Sequence, residues 1–101
     1  MKLSRKDELT EFSAKIQIKP NPFSDYLDIE LNLGKDSRLI IEVFNIMGQE
    51  VTIITDKDVS AGTFHAEWDG KDSSGNYVNR GIYLVRFSIN GENSVKRIVK
   101  D

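Results

Sequence analysis

Trp68-Asp69-Gly70-Lys71-Asp72-Ser73-Ser74-Gly75-Asn76, followed by Gly81-Ile82-Tyr83, is the stretch whose reading decides the fold of this chain. Just before it, Phe64, Ala66 and Trp68 alternate with Thr63, His65 and Glu67, so one face is apolar and the other polar. That is the period of a strand. Gly70 and Gly75 give the backbone freedom at a bend, and Asp72 and Asn76 can bond their own main chain there. A second strand starts at Tyr83. The stretch therefore reads as a hairpin: a strand ending on an aromatic anchor, a polar glycine turn, and a returning strand. It carries no nucleophile, base or metal cage.

The same period continues on both sides. Downstream, Tyr83 to Ile89 leads into Asn90-Gly91, the strongest short hairpin signal in the chain, and the last strand runs from Ser94 to Lys100. Upstream, Tyr26 to Leu33 alternates cleanly: Leu27, Ile29, Leu31 and Leu33 face one way, Tyr26, Asp28, Glu30 and Asn32 the other. Gly34-Lys35-Asp36-Ser37 is a turn. Arg38 to Ile46 has apolar residues on both parities and is expected to be the most buried strand. Met47-Gly48-Gln49-Glu50 turns tightly into Val51 to Thr55, and Asp56 to Gly62 reads as a loop. Ile16 and Ile18 flank Gln17 in a short first strand. Pro20-Asn21-Pro22 ends it, because each proline lacks a donor and fixes φ.

About seven short strands result, with turn signals at intervals of roughly ten residues. The fold class expected is all-β, an immunoglobulin-like antiparallel β-sandwich over residues 15–101, preceded at 1–14 by a charged linker or frayed tail.

With 101 residues, the chain is the size of one domain and buries roughly two-thirds of its unfolded surface, enough for a modest core. It has no cysteine, so packing rather than disulfides must hold it. Fourteen basic and sixteen acidic residues leave a net charge of −2, which argues against a dedicated nucleic-acid binder. The apolar runs fall far short of a transmembrane segment. Met1 to Lys6 has the basic start of a signal peptide, but Asp7, Glu8 and Glu11 stand where its apolar stretch would be. Any export signal is expected elsewhere in a parent chain.

No constellation for catalysis stands out. His65, the single histidine, alternates outward between Phe64 and Ala66. No serine lies in a G-x-S-x-G elbow. Asp69 and Asp72 share a loop with Ser73, Ser74 and Asn76 and could offer oxygens to calcium, but the spacing departs from D-x-[DN]-x-[DN]-G. Turn bonding by the same carboxylates is the favoured alternative. Asp56 and Asp58 share the ambiguity. Tyr26, Phe44, Trp68, Tyr77, Tyr83 and Phe87 could stack on a sugar, although Trp68 is in phase with an inward face. The reading is thus of a non-enzyme without cofactor or bound metal. Lys96, Arg97 and Lys100 place three cations on the final strand. Such charges guard a sheet edge against unwanted pairing, or form a cationic tail that a receptor reads.

Four segments in order carry a resemblance: Pro20-Asn21-Pro22-Phe23, Phe44-Asn45-Ile46-Met47-Gly48-Gln49-Glu50-Val51, Gly81-Ile82-Tyr83, and the basic end from Lys96 to Lys100. Together they resemble the type A C-terminal sorting domain of type IX secretion cargo, over about residues 16–101. The resemblance implies a sandwich at the end of a secreted or cell-surface protein of a Gram-negative bacterium, exported through periplasm and outer membrane. It implies as partners the outer-membrane translocon, a surface sortase that removes the domain, and a cargo domain joined on its N-terminal side. Carried over by position, the residues implicated in recognition are Pro20, Asn21, Pro22, Phe23, Gly48, Gly81, Tyr83, Lys96, Arg97 and Lys100. The Trp68-Asp69-Gly70 segment with Gly75 and Gly81-Ile82-Tyr83 also resembles the immunoglobulin-like domain of flagellar hook-capping proteins, an assembly scaffold. An accessory carbohydrate-binding module is a further alternative.

Overall fold

The computed structural model describes residues 14–101 and forms seven strands there. They are β1 (Ala14–Lys19), β2 (Leu27–Leu33), β3 (Ser37–Asn45), β4 (Glu50–Val59), β5 (Gly62–Trp68), β6 (Gly81–Ile89) and β7 (Glu92–Lys100). The linker or tail expected over 1–14 lies outside the described residues, except for Ala14, which opens β1. Among the described residues there is no helix long and apolar enough to cross a membrane.

Two antiparallel sheets face each other, one of order β1-β2-β5 and one of order β4-β3-β6-β7. The alternation in the sequence decides which side chains meet between them. Leu27, Ile29, Leu31 and Leu33 point inward from β2, and meet Leu39, Ile41 and Val43 of β3 with Val85, Phe87 and Ile89 of β6 in one cluster. Each such side chain contributes about 1.5–3 kcal/mol on full burial. β3 is central in its sheet and loses water on both neighbours, as its two apolar parities imply. Its outward Ile40 and Phe44 are half-buried, whereas Ile46 lies beyond the strand and is exposed. Asn90 and Gly91 both take positive φ (51° and 85°), the geometry of a tight hairpin turn between β6 and β7.

Two expectations are corrected. The stretch from Trp68 to Tyr83 is not a hairpin. β5 pairs with β2 and β6 with β3 and β7, so the connection crosses from one sheet to the other. The loop's hydrogen bonds explain why it does not fold back. Ser73 N–H donates to the Val51 carbonyl at 3.0 Å, and Val78 N–H to the Gly70 carbonyl at 2.8 Å, so the loop lies over the sandwich end. The second correction is the loop expected at Asp56 to Gly62. β4 continues to Val59, because Asp56, Lys57 and Asp58 pair in register with Ile40, Leu39 and Arg38. Arg38 bonds Asp56 and reaches Asp58 at 3.6 Å, which holds this polar end of the strand to its neighbour.

Candidate functional site

The segment Pro20-Asn21-Pro22-Phe23 leaves β1 in one sheet and crosses to the outer edge of β7 in the other. Proline at its two flanking positions removes donors that an edge could not use, and both X-Pro bonds are cis. Asn21 reaches β7 with both ends of its amide. Its Oδ1 accepts from Val99 N–H at 2.9 Å, and its Nδ2 donates to the Arg97 carbonyl at 3.3 Å. Phe23 then continues as a short parallel bridge. Its N–H donates to the Val99 carbonyl at 3.0 Å, and its carbonyl accepts from Asp101 N–H at 2.8 Å. The segment is a clasp over the last turn of the edge strand.

The Phe23 ring seats the clasp in the core. It is 1% exposed and packs on Trp68 at 5.4 Å between centroids, and Trp68 meets the edge of Tyr83 at 5.8 Å. Trp68 Nε1 donates to the Lys71 carbonyl at 2.9 Å, and Tyr83 Oη donates to the Asn79 carbonyl at 2.7 Å, so both polar tips are satisfied where the rings are buried. Burial pushes the Tyr83 phenol above its ordinary pKa. Lys100 lays its stem along Gly70 and holds its ammonium 5.7 Å from the Phe23 ring centroid. A Cβ at Gly70 would sit 3.0 Å from Lys100 Cε, and Gly70 has φ +78°, so both space and backbone call for glycine there.

The structure therefore brings most of the residues that the resemblance offers as recognition candidates to one place. Pro20, Asn21, Pro22 and Phe23 lie along β7, and Gly81 pairs with Lys100 across β6 and β7. Tyr83 lies beneath, opposite Ile98. Lys96 and Arg97 are exposed just before the clasp. Lys100 is half-buried and differs from them: it is a packing residue as much as a displayed charge. Gly48 is not part of this cluster. It takes φ +83° at the β3–β4 turn, where Asn45 Oδ1 accepts from Met47 N–H and Gln49 N–H at 2.9 and 3.0 Å. This turn is at the same end of the sheet, separated from β7 by β6.

The other features weighed from sequence are distributed elsewhere. Asp72 Oδ1 accepts from Ser74 and Asn76 N–H at 2.9 and 3.0 Å, and Asp69 Oδ1 from Lys71 N–H at 3.1 Å. These carboxylates serve the loop's own main chain. His65 is exposed on β5 with Nδ1 3.7 Å from a Glu30 carboxylate oxygen. The aromatic rings do not share an open face: Trp68, Tyr83 and Phe87 are buried, while Tyr77 stands in solvent with Lys71 Nζ 5.0 Å from its ring centroid. Sequence reasoning missed the role of Trp68 as the seat of Phe23 and the pairing of Asn21 with β7. No local signal could reveal the latter, since Asn21 and Val99 stand 78 residues apart.

Comparison with known proteins places this geometry. PorU from Porphyromonas gingivalis, solved as a dimeric latent form, matches with a TM-score of 0.68 at 20% identity, over 86% of this chain and 9% of that one. PorZ of the same organism, described as an essential bacterial surface component of its type-IX secretion system, matches with a TM-score of 0.57 at 16% identity, over 85% and 11%. FlgD from P. aeruginosa matches with a TM-score of 0.55 at 32% identity, over 74% and 60%. This chain thus spans about a tenth of the length of PorU and PorZ (9% and 11%), and these two likenesses establish an immunoglobulin-like fold. No curated protein matches it. Residues 17–101 match the family described as the secretion system C-terminal sorting domain, a span that runs from within β1 through β7. By that match the chain belongs to the C-terminal sorting domains of type IX secretion.

Proposed function

We propose that this domain is the address of an exported protein, recognised by the type IX outer-membrane translocon and removed by a surface sortase once the cargo on its N-terminal side has crossed. The family supplies the coarser part: it is a sorting signal, generally non-catalytic, for cargo that is secreted or displayed on the cell surface. The observation that carries the finer part is the clasp. Two segments at opposite ends of the domain, Pro20–Phe23 and Arg97–Asp101, form one continuous surface through Asn21 and Phe23. A receptor that reads this surface reads a folded domain, because the surface exists only when both sheets are assembled. The exposed cations Lys96 and Arg97 flank it and supply the charge.

The test is a secreted reporter joined ahead of this chain in a type IX-competent host and in the same host lacking the translocon. Export is expected only in the first. Lys96→Ala with Arg97→Ala should cut export there while leaving the melting temperature of the domain unchanged, because both side chains are in solvent. Export that survives loss of the translocon, or that ignores the double substitution, refutes the reading.

A further inference from the structure

Among the described residues β7 is an edge strand, and only part of its edge is covered. Val99 turns both its N–H and its carbonyl outward, to Asn21 and Phe23. In an antiparallel ladder the direction alternates residue by residue, so Arg97, Val95 and Asn93 turn theirs outward as well. The clasp takes the Arg97 carbonyl. Among the described residues no strand pairs beyond it, and the outward N–H of Arg97 and both groups of Val95 and Asn93 face solvent. This open window, from Asn93 to Arg97, holds a strand of about five residues. Such an edge normally invites pairing unless it is kept short or charged. Here it is both.

The side chains along the window specify what fits. Val95 is an apolar side chain left 54% exposed on the outer face of the sheet. Arg97 stands beside it on that face, and Lys96 on the other side of the strand. Among the described residues no ion pair is formed by either cation, whereas Arg86 on β6, which stands opposite Val95, is bound to Glu42 at 2.7 Å and lies over Phe44. The local charge awaiting a partner is therefore positive.

We propose that the Asn93–Arg97 window of β7 accepts one extended strand of a partner protein that carries carboxylate side chains, paired through the outward main-chain groups of Asn93 and Val95 and the outward N–H of Arg97. Main-chain bonds supply affinity without sequence demand, and Lys96, Arg97 and Val95 select a strand that is acidic with an apolar residue between. The clasp marks where the added strand stops. This inference rests on the reading of the domain as a sorting signal, and deepens it by naming the chemistry of the receptor.

Proline separates main-chain pairing from every side-chain role. The Val95 N–H is not part of the ladder to β6, so Val95→Pro leaves that ladder intact, as edge strands tolerate proline where the N–H faces solvent. In the reporter assay, Val95→Pro should be exported about tenfold less than Val95→Ala, which keeps the N–H, since the incoming carbonyl loses its donor. Equal export of the two variants, with the wild-type domain exported and translocon-dependent, overturns strand addition and leaves the sorting reading standing. Failure of the wild-type domain to be exported overturns that reading instead. If Val95→Pro lowers the melting temperature, Arg97→Pro compared with Arg97→Ala takes its place: both lack the guanidinium and only the proline lacks the neighbouring outward N–H. Lys96→Glu with Arg97→Glu reads the charge requirement separately: unchanged export excludes an acidic strand.

Discussion

Replacing Asn21 by alanine isolates what the clasp contributes. The substitution removes the acceptor of the Val99 N–H, at 2.9 Å, and the donor to the Arg97 carbonyl, at 3.3 Å. A hydrogen bond contributes about 0.5–1.5 kcal/mol net in a protein. The Val99 bond has near-ideal length and counts about 1 kcal/mol, and the longer Arg97 bond about 0.5. Both lie at the surface, so water replaces the lost partner and no burial penalty is added. The expected loss is about 1.5 kcal/mol, which lowers the melting temperature of a domain this size by roughly 6–12 °C. Amide exchange gives the local reading. The Val99 N–H should exchange about tenfold faster, the factor that 1.4 kcal/mol brings, while the Leu39 and Ile41 amides follow global stability alone. Asn21→Asp keeps the acceptor for Val99 and loses the donor to Arg97, so its melting temperature should fall between the two. A shift below about 2 °C for Asn21→Ala, with Val99 exchange unchanged, refutes the view that this side chain ties the last strand down.

Phe23→Ala empties the seat on Trp68 and should cost about 3–5 kcal/mol, with a red shift in the emission of the single tryptophan as water reaches it. Tyr83→Phe should cost about 1 kcal/mol at neutral pH through the lost bond to the Asn79 carbonyl. The pH dependence has a definite sign. The phenol of Tyr83 is raised above its ordinary 10.0 by burial, so its stabilisation is complete below the unfolded pKa and is lost as pH rises through the folded one. Denaturant melts at neutral pH and above about pH 10 should therefore show the Tyr83→Phe deficit shrinking in alkali.

Strand identity was legible because it is local. β2 reads off its leucines and isoleucine at alternate positions, and the β6–β7 hairpin off Asn90-Gly91, whose positive φ values only a few residue types accept. Strand partnership was not. β5 and β6 are joined by a polar, glycine-containing loop over residues 69–80 whose composition reads as a turn, yet each strand buries its apolar face against a different neighbour. The choice is made by the sandwich as a whole, since β5 completes the face of β2 while β6 completes that of β3. The far end of β4 was misread for a related reason. Asp56, Lys57 and Asp58 look like a loop by composition, but Arg38 on the paired strand forms ion pairs with Asp56 and Asp58. At the candidate site, the motif residues themselves were legible and their meeting was not. Lys100 shows the limit most clearly. By type it is a surface cation, and only the position of Gly70, whose missing Cβ leaves room for its stem, shows that it packs.

In the proposed strand addition, the half-covered edge answers two opposing demands. An edge with no cover pairs with anything, including a second copy of itself. An edge with full cover offers no main chain to read. The clasp closes β7 where Val99 and Asp101 would otherwise be free, and leaves the stretch that carries Lys96 and Arg97. Those cations act in both directions. In parallel register, two copies of β7 would stack lysine on lysine and arginine on arginine, and like charges directly opposite destabilise a ladder. A strand bearing carboxylates meets the same charges as partners. In the proposed pairing the selectivity comes from charge and the affinity from the backbone, so a charge-reversed domain should lose its receptor and pair with a receptor strand whose carboxylates have been exchanged for lysines. Recovery of export by that reciprocal exchange is the outcome the argument requires, and export restored by lysines placed elsewhere on the receptor would break it.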